Sequence, residues 1–356
     1  MSGQRTLSLA TREFDPTDYA RLVEIYSANY PDYPRSVGEW RSRDESLDRS
    51  KYHLQRYSFL ENDVIVGFGA VSHVTDMFHP RKFWVEILVD PVSQGRGIGA
   101  AIYERLGGEL KKLNALTAWA GGREDLPRLT GFYQRRGFME KQIAWESRLD
   151  VSTVDFEQFR EYPEKVQRQG ITLTTLAEAR MEGQDSLKKL HELVQIISAD
   201  MPSVASFTPT SYEQWEAFEL KNPNLLPEGY MIAKDGSNYV GLSTVWRIDK
   251  EPRGLVQGNT GVRREYRGRG IAVALKLKVI DFARRNGYEK VKTWNASDNV
   301  PMLAVNTKLG FKREVGWITL EKNLPEKVRA TVSGSVSHLR AVLDGVGARR
   351  NKSLRG

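Results

Sequence analysis

The sequence predicts an α+β (mixed α/β) protein that contains two copies of one domain, and three pairs of matching segments support this prediction. A glycine–arginine loop occurs as QGRGIG from residue 94 and as RGRGIA from residue 267, an offset of 173 residues. RRGF and KLGF, which begin at residues 135 and 308, have the same offset. VGFGAVSHV and VGLSTVWRI, which begin at residues 66 and 240, are offset by 174. Three landmarks in one order at nearly one spacing indicate a duplication.

In the first copy, hydrophobic periodicity and helix-start residues predict the elements one after another. They are a strand at 7–12, helices at 15–30 and 37–47, strands at 53–60, 64–74 and 82–89, a helix at 98–112, a strand at 115–120, a helix at 125–136 and a closing pair of strands to about 149. Apolar residues recur every four positions in the helix at 98–112, which favours one buried face. These residues are Ile98, Ile102, Leu106 and Leu110.

The second copy repeats this order. Its predicted elements are a strand at 171–176, a helix at 184–199, strands near 230–234, 239–248 and 254–262, a helix at 271–286, a strand at 289–294, a helix at 299–308 and strands across 311–322. We therefore expect an N-terminal domain, a linker, a C-terminal domain and a basic tail too poor in apolar residues for a core. Their limits are 1–150, 151–170, 171–323 and 324–356.

The composition excludes several kinds of chemistry. Without cysteine there is no disulfide, Cys-ligated zinc, Fe–S cluster or thiol nucleophile. The five histidines form no H-E-x-x-H pair and lie near no G-x-S-x-G elbow, so we expect neither a metal site nor triad hydrolysis. No long apolar segment occurs, which predicts a cytoplasmic protein without a membrane partner.

The net charge of +8 is unevenly distributed. Residues 1–150 carry 21 basic and 21 acidic side chains, and residues 331–356 carry 5 basic and 1 acidic. Half of the excess therefore lies in the last 26 residues, which argues against a nucleic-acid-binding face.

Each glycine–arginine loop joins an apolar strand to the beginning of a helix. Glycines there let an anion approach the backbone, and the helix N-terminus favours negative charge. A pyrophosphate is the ligand that suits such a loop, although the spacing is not that of the dinucleotide fingerprint.

Both halves resemble the GNAT N-acetyltransferase superfamily, and the two-domain layout is similar to that of mycothiol-synthase-like bacterial acetyltransferases. The GNAT motif Q/R-x-x-G-x-G/A is matched by Gln94, Gly97 and Gly99, and by Arg267, Gly270 and Ala272. The resemblance implies tandem acyl-CoA N-acyltransferase domains, each a sheet that splays between its fourth and fifth strands around acetyl-CoA. The implied coenzyme A-binding residues are Leu88, Val89, Gln94, Gly95, Arg96, Gly97, Ile98 and Gly99 in the first half, and Gly261, Val262, Arg267, Gly268, Arg269, Gly270, Ile271, Ala272 and Asn299 in the second.

The resemblance also implies direct attack of a small-molecule amine on acetyl-CoA in a ternary complex. In the N-terminal half, Glu86 matches the position of a carboxylate base and Tyr133 that of a tyrosine that protonates the leaving thiolate. The C-terminal half has Asn259 and Asn306 at these positions, and neither can act as a base. Acceptor contacts are expected in the loops at 77–84 and 198–215.

Several alternatives stay open at this point. Side-chain chemistry favours catalysis in the N-terminal half, whereas the analogy with tandem relatives whose C-terminal half is active favours the other. The chain could also be an acyl-CoA-binding regulatory pair without turnover, or an acetyltransferase directed at a protein or ribosome through its tail. A monomer with an internal pseudo-dimer, or a homodimer, is expected.

Overall fold

Twelve strands form one mixed sheet in residues 9–325, the part of the chain that the computed structural model describes. The strands are β1 Ala10–Glu13, β2 Leu54–Glu61, β3 Val64–Ser72, β4 Lys82–Val89, β5 Thr117–Arg123, β6 Met139–Asp150, β7 Ile171–Thr175, β8 Met231–Asp235, β9 Asn238–Ile248, β10 Glu251–Val262, β11 Lys290–Ala296 and β12 Lys312–Asn323. The basic tail predicted at 324–356 lies almost wholly outside the described residues.

Ten α-helices accompany the sheet within the described range. They are α1 Tyr19–Asn29, α2 Val37–Glu45, α3 Ile98–Lys112, α4 Pro127–Gln134, α5 Glu161–Arg168, α6 Leu176–Met181, α7 Gln184–Ala199, α8 Tyr212–Trp215, α9 Ile271–Arg285 and α10 Val300–Lys308. The helix predicted at 98–112 is confirmed with its buried face, because the four apolar residues named for it are at most 7% exposed. Helix α5 occupies the predicted linker, where it packs against α9.

The two halves exchange their last strands. The strand order is β1-β2-β3-β4-β5-β12-β6-β11-β10-β9-β8-β7, so both neighbours of β6 come from the C-terminal half and both neighbours of β12 come from the N-terminal half. Apolar side chains of each exchanged strand pack in the core of the other half. Leu320 packs in the core of the N-terminal half together with Ile102, while Leu149 packs in the core of the C-terminal half together with Leu275.

This exchange corrects the predicted closing pair of strands. Each half ends in one strand of twelve residues instead of two shorter ones. The antiparallel neighbour expected from a local hairpin is supplied by the other half, where β6 and β12 pair along their lengths. A single sequence repeat cannot reveal this, because the pattern of a strand is the same whichever chain segment pairs with it.

Each half of the sheet splays at the same place, as the resemblance implies. Parallel pairing between β4 and β5 covers only Lys82–Trp84 on β4, and that between β10 and β11 covers only Gly254–Val256 on β10. Beyond these residues, β4 pairs only with β3, and β10 pairs only with β9, with interruptions in its register. Backbone groups at these strand ends are therefore left facing a wedge.

Helix α3 crosses β3 at a glycine, and this crossing leaves no room for a side chain. A Cβ atom at Gly69 would lie 2.4 Å from Cγ2 of Ile102. We expect Gly69→Ala to lower the free energy of unfolding by about 1–3 kcal/mol, because such overpacking forces the helix away from the sheet. Gly107→Ala is the matched control, since a Cβ there meets no atom within 4 Å, and it is expected to be neutral or stabilising. Urea denaturation of both variants measures the difference; equal losses would contradict the close crossing.

Candidate functional site

The predicted cofactor residues of the N-terminal half surround a cleft of about 820 Å³, here called the N-terminal cleft. The predicted residues that line it are Leu88, Val89, Gln94, Gly95, Gly97, Ile98 and Gly99. Arg96 is not among the lining residues, and its guanidinium pairs with Glu61. Seven of the eight predicted positions are thus brought together at the splayed end of β4.

The loop before α3 owes its shape to two glycines in the left-handed region. Gly95 has φ 79° and Gly97 has φ 89°, and Gly97 caps the N-terminus of α3. A Cβ at either position would meet no atom within 4 Å, so the loop is uncovered on that side. The first N–H groups of a helix have no partner inside it and carry a partial positive charge. The loop can therefore hold an anion such as a pyrophosphate.

Gln94 fastens this loop to the strand end. Its side-chain amide donates to the backbone oxygen of Val89 at 3.2 Å and to Oδ1 of Asn29 at 3.0 Å. The amide of Asn29 donates to the same Val89 oxygen at 3.0 Å. Helix α1, the strand end and the loop are thus fixed to one another by two side chains.

The matching loop of the C-terminal half borders a smaller cleft of about 380 Å³, here called the C-terminal cleft. The predicted residues that line it are Gly261, Val262, Arg267, Gly268, Gly270, Ile271, Ala272 and Asn299, whereas Arg269 does not. Asn299 also caps α10 by accepting from the Met302 N–H at 3.4 Å. The glycine conformations repeat those of the first loop, with φ 75° at Gly268 and 88° at Gly270.

Two side chains pack closely on glycines of the C-terminal half, and one of them, Ile197, lines the C-terminal cleft. Ile197 of α7 packs so closely on Gly261 that a Cβ there would lie 2.4 Å from its Cγ2. Tyr162 of α5 lies against the loop, 3.2 Å from a Cβ built on Gly270. Asp200, which lies in the predicted acceptor loop at 198–215, pairs with Arg267 at 2.7 Å and also with Arg264, and it lines the C-terminal cleft.

Glu86 and Tyr133 line one cavity of about 500 Å³, here called the reaction chamber. It adjoins the N-terminal cleft, with which it shares four wall residues: Tyr30, Ile87, Leu88 and Leu129. Glu86 lies on the part of β4 that has lost its β5 neighbour. The splay that opens the cleft therefore also exposes this carboxylate to the chamber.

Tyr133 is 1% exposed, and its burial has a chemical consequence. Burial first, and then the negative charge of Glu86, raise the pKa of Tyr133 well above its usual value. Hydrogen bonding from the backbone of Ile87 acts in the opposite direction and is weaker. The phenol therefore keeps its proton at neutral pH.

The equivalent positions of the C-terminal half are arranged differently. Asn306 is buried, and its amide donates to Oδ1 of Asn295 at 2.7 Å. Asn259 lies 3.5 Å from the hydroxyl of Ser198. Neither asparagine lines the C-terminal cleft. This half thus has a cofactor-type loop without a carboxylate or a tyrosine at the two matching positions.

The C-terminal half also contains a buried lysine amine. Lys276 of α9 is 1% exposed, donates to Oε1 of Gln257 and has its Nζ 4.9 Å from the ring centre of Phe311. Gln257 in turn donates to Ser243 at 2.8 Å. Burial lowers the pKa of Lys276 to about 7, so the folded protein favours the neutral amine.

Replacing Lys276 with methionine is therefore expected to change how stability depends on pH. In the wild type, unfolding takes up a proton between about pH 7 and the unfolded pKa near 10.5, so the free energy of unfolding falls as pH falls through this range. Lys276→Met removes that proton uptake and is expected to flatten the profile. Urea denaturation from pH 7 to 10 measures how the free energy of unfolding depends on pH in the wild type and in the variant. Equal slopes for the two proteins would contradict a neutral Lys276 in the folded state.

A further cavity of about 590 Å³, here called the outer chamber, continues the reaction chamber between the two halves. The two cavities share Tyr26, Arg35, Arg43, Phe218 and Trp317. The C-terminal half contributes much of the wall of the outer chamber, with Trp246, Arg247, Glu251, Lys292 and Trp294 among the lining residues. Any molecule that reaches Glu86 through this route contacts both halves.

Sequence reasoning did not identify several residues of these chambers. Tyr30, at the end of α1, lines both the N-terminal cleft and the reaction chamber. Arg35 lies in the connection between α1 and α2, and Arg43 lies on α2. Asp76 lies in the loop before β4, within the segment next to the predicted acceptor loop. The segment NYPDYPR at 29–35 could have indicated a binding surface, because a solvent-exposed loop between two helices seldom contains so many aromatic and proline residues.

Two absences concern the described residues only. Between residues 9 and 325, no cluster of His, Asp and Glu has the arrangement of a metal site. Over the same range, no helix has both the length and the apolar character needed to cross a membrane.

Comparison with known families gives a match in both halves. A model of the acetyltransferase (GNAT) family matches residues 19–138 and 190–311, which together make up more than half of the chain. Both matched ranges stop just before the strands that the two halves exchange.

The curated proteins that are similar to this chain include two mycothiol acetyltransferases. It is 27% identical to that of Geodermatophilus obscurus over 65% of this chain and 72% of the relative. It is 23% identical to that of Thermobifida fusca over 76% of this chain and 83% of the relative.

Among solved structures, a tandem GNAT protein from the clavulanic acid biosynthesis pathway (without AcCoA) has a TM-score of 0.70 at 20% identity, covering 90% of this chain and 100% of that chain. A GCN5-related N-acetyltransferase from Sphaerobacter thermophilus has a TM-score of 0.64 at 18% identity, covering 88% and 95%. At these identities the structural likeness concerns the fold.

Proposed function

The chain belongs to the acetyltransferase (GNAT) family, and we propose that its N-terminal half transfers an acetyl group from acetyl-CoA to a primary amine of a small molecule. One observation carries this proposal. Glu86 and Tyr133 line a single chamber that shares four wall residues with the N-terminal cleft. A carboxylate, a protonated phenol and an anion-binding loop thus border connected spaces, as direct transfer in a ternary complex requires.

The N-terminal cleft has the features that coenzyme A requires. The glycine loop before α3 would hold the pyrophosphate through backbone N–H groups. The edge of β4 near Leu88 and Val89, which has no β5 neighbour and where the Val89 oxygen accepts from Asn29 and Gln94, would bind the amides of the pantetheine arm through its remaining backbone groups. Bound acetyl-CoA supplies the acetyl group as an activated thioester. Gln94 keeps the loop and the strand end at a fixed separation.

Glu86 is proposed to take a proton from the acceptor amine. A primary amine is mostly protonated near neutral pH and must lose a proton before its nitrogen can attack a carbonyl carbon. The position of Glu86 on the splayed part of β4 lets its carboxylate reach the chamber while the strand stays paired with β3.

Tyr133 is proposed to protonate the departing thiolate, and Tyr133→Phe is expected to lower kcat by about tenfold. The effect is modest because a thiolate leaves readily even without a proton, its conjugate acid having a pKa of about 8.5. Release of free thiol from acetyl-CoA measures the rate. Thermal unfolding of the same variant controls for loss of packing. A rate equal to that of the wild type would remove Tyr133 from the mechanism.

The C-terminal half is proposed to bind coenzyme A without transfer and to complete the acceptor site. Its loop has the same glycine conformations, but Asn259 and Asn306 replace the base and the acid. Its strands instead contribute Trp246 and Trp294 to the outer chamber. This contribution of the C-terminal half to the acceptor site would explain why the chain keeps two glycine loops but only one carboxylate–tyrosine pair.

A screen of primary amines with acetyl-CoA tests the proposed function. We expect continuous release of free thiol with at least one small amine and a product heavier by one acetyl group in the mass spectrum. Tight binding of acetyl-CoA without thiol release for any amine would support a regulatory acyl-CoA-binding protein instead.

A further inference from the structure

Two guanidinium groups project into the chambers without a carboxylate partner. Across residues 9–325, no ion pair within 4.0 Å involves Arg35 or Arg43, although both line the reaction chamber and the outer chamber. Arg35 lies over the rings of Tyr26 and Trp40, at 5.0 and 5.3 Å from their centres. Arg35 is thus held in place by aromatic faces that leave its N–H donors without an anionic acceptor.

Two other cations around these cavities have carboxylate partners, whereas Arg247 donates to the backbone oxygen of Pro223 at 2.6 Å. Arg56 binds Asp44 at 2.8 Å, and Lys292 binds Glu251 at 2.6 Å. Arg43 differs: its side chain is exposed to the open cavity. Desolvation by the cavity walls, and then repulsion from Arg35, lower its pKa from the usual value, while the charges of Glu86 and Asp44 act in the opposite direction. Two guanidinium groups that face one cavity repel each other, and an anion that shares their donors would relieve this repulsion.

Besides Asp44, two carboxylates line the reaction chamber, and the charge of one of them, Glu86, acts on Arg43. Glu86 and Asp76 both line it, and among the described residues neither forms an ion pair within 4.0 Å. Burial raises the pKa of Asp76. Its backbone oxygen accepts from the Thr208 N–H at 2.7 Å, so a loop of the C-terminal half holds this segment in position. The connected space therefore has unpaired carboxylates near β4 and unpaired guanidinium groups near α2.

We propose that Arg35 and Arg43 form a subsite for an anionic oxygen group of the acceptor, so that the substrate is an amine that also carries a carboxylate or a phosphate. The amino group lies toward Glu86 and the anionic group toward α2. This inference rests on the proposed function for the position of the amine. It names a substrate class by charge, because a guanidinium pair recognises carboxylate and phosphate through the same donors.

Matched pairs of acceptors test this subsite. The first series uses ω-amino acids of increasing length, each paired with its carboxamide, and the second uses aminoalkyl phosphates paired with the corresponding amino alcohols. We expect the anionic member of the best pair to have a kcat/KM at least about tenfold higher, since charge-assisted hydrogen bonds of this kind contribute about that factor. The series with the larger ratio identifies carboxylate or phosphate as the anion.

Variants connect the preference to the two arginines. Arg43→Gln and, separately, Arg35→Gln are expected to reduce the ratio about tenfold by raising KM for the anionic member, with little change in kcat. Arg41→Gln is the matched control, because Arg41 lies on the same helix but lines neither chamber. Thermal unfolding of each variant confirms that it is folded.

The outcomes separate this inference from the proposed function. Thiol release with equal use of charged and neutral members, or a ratio that Arg43→Gln and Arg35→Gln leave unchanged, would overturn the subsite and keep the proposed function. If no amine supports thiol release, the proposed function fails, and calorimetric titration of the same acids decides the subsite. Binding to the wild type that is lost in Arg43→Gln supports the subsite, and absence of binding overturns it.

Discussion

Glu86→Gln is expected to lower kcat for acetyl transfer at neutral pH by about a hundredfold or more, the range found for removal of a general base. Glutamine has the same shape as glutamate but cannot take a proton from the amine. Because the N-terminal cleft is unchanged, affinity for acetyl-CoA is expected to stay at the wild-type level. The deficit is expected to shrink as pH rises, since a growing fraction of free amine no longer needs a base.

Initial rates of thiol release from pH 6.5 to 10 measure this effect. Asn259→Ala is the matched control in the C-terminal half, because Asn259 occupies the corresponding strand position. It is expected to leave the rate nearly unchanged. The reverse result, with full activity for Glu86→Gln and loss of activity for Asn259→Ala, would place catalysis in the C-terminal half.

Cutting the chain between the halves is expected to prevent each half from folding alone. In a chain of residues 1–150, the twelve residues of β6 would have no neighbour on either side, since β11 and β12 both belong to the other half. The N-terminal core would also lose Leu320, which is 0% exposed. Removing one buried leucine typically costs about 2–5 kcal/mol, and here a whole strand is lost, against a total stability of about 5–15 kcal/mol.

Circular dichroism and urea denaturation of chains 1–150 and 151–356 test this expectation. Neither chain is expected to unfold cooperatively by itself, and an equimolar mixture is expected to recover cooperative unfolding and thiol release. An intact chain with a protease site inserted after Gly170 provides the control, because a Cβ there meets no atom within 4 Å. Cooperative unfolding of either isolated half would contradict mutual dependence through the exchanged strands.

Much of the fold could be predicted because the determining information is local. The helix at 98–112 and the strand at 82–89 have the bounds that the sequence predicts, since apolar periodicity and glycine punctuation are properties of neighbouring residues. The glycine loops could be identified for the same reason. Gly97 and Gly270 have left-handed backbone, a conformation that glycine adopts at little cost, so the glycine itself is the local signal.

The chambers could be predicted only in part. The strand position of Glu86 pointed to a base, but nothing local to Arg43 indicates that it would lie without a carboxylate partner. Whether a guanidinium group is paired depends on elements distant in sequence. The same holds for the wall that Trp246 and Trp294 add from the other half.

The sequence by itself determined the duplication, the order of helices and strands in each half, and the two glycine loops that begin α3 and α9. These follow from periodicities and spacings that a single segment carries. Only the tertiary structure decided that β6 and β12 change places and that the N-terminal cleft has a larger volume than the C-terminal cleft. It also decided that both halves line one outer chamber. The physical reason is that strand pairing and cavity walls are contacts between distant segments, and many pairings satisfy the same local pattern.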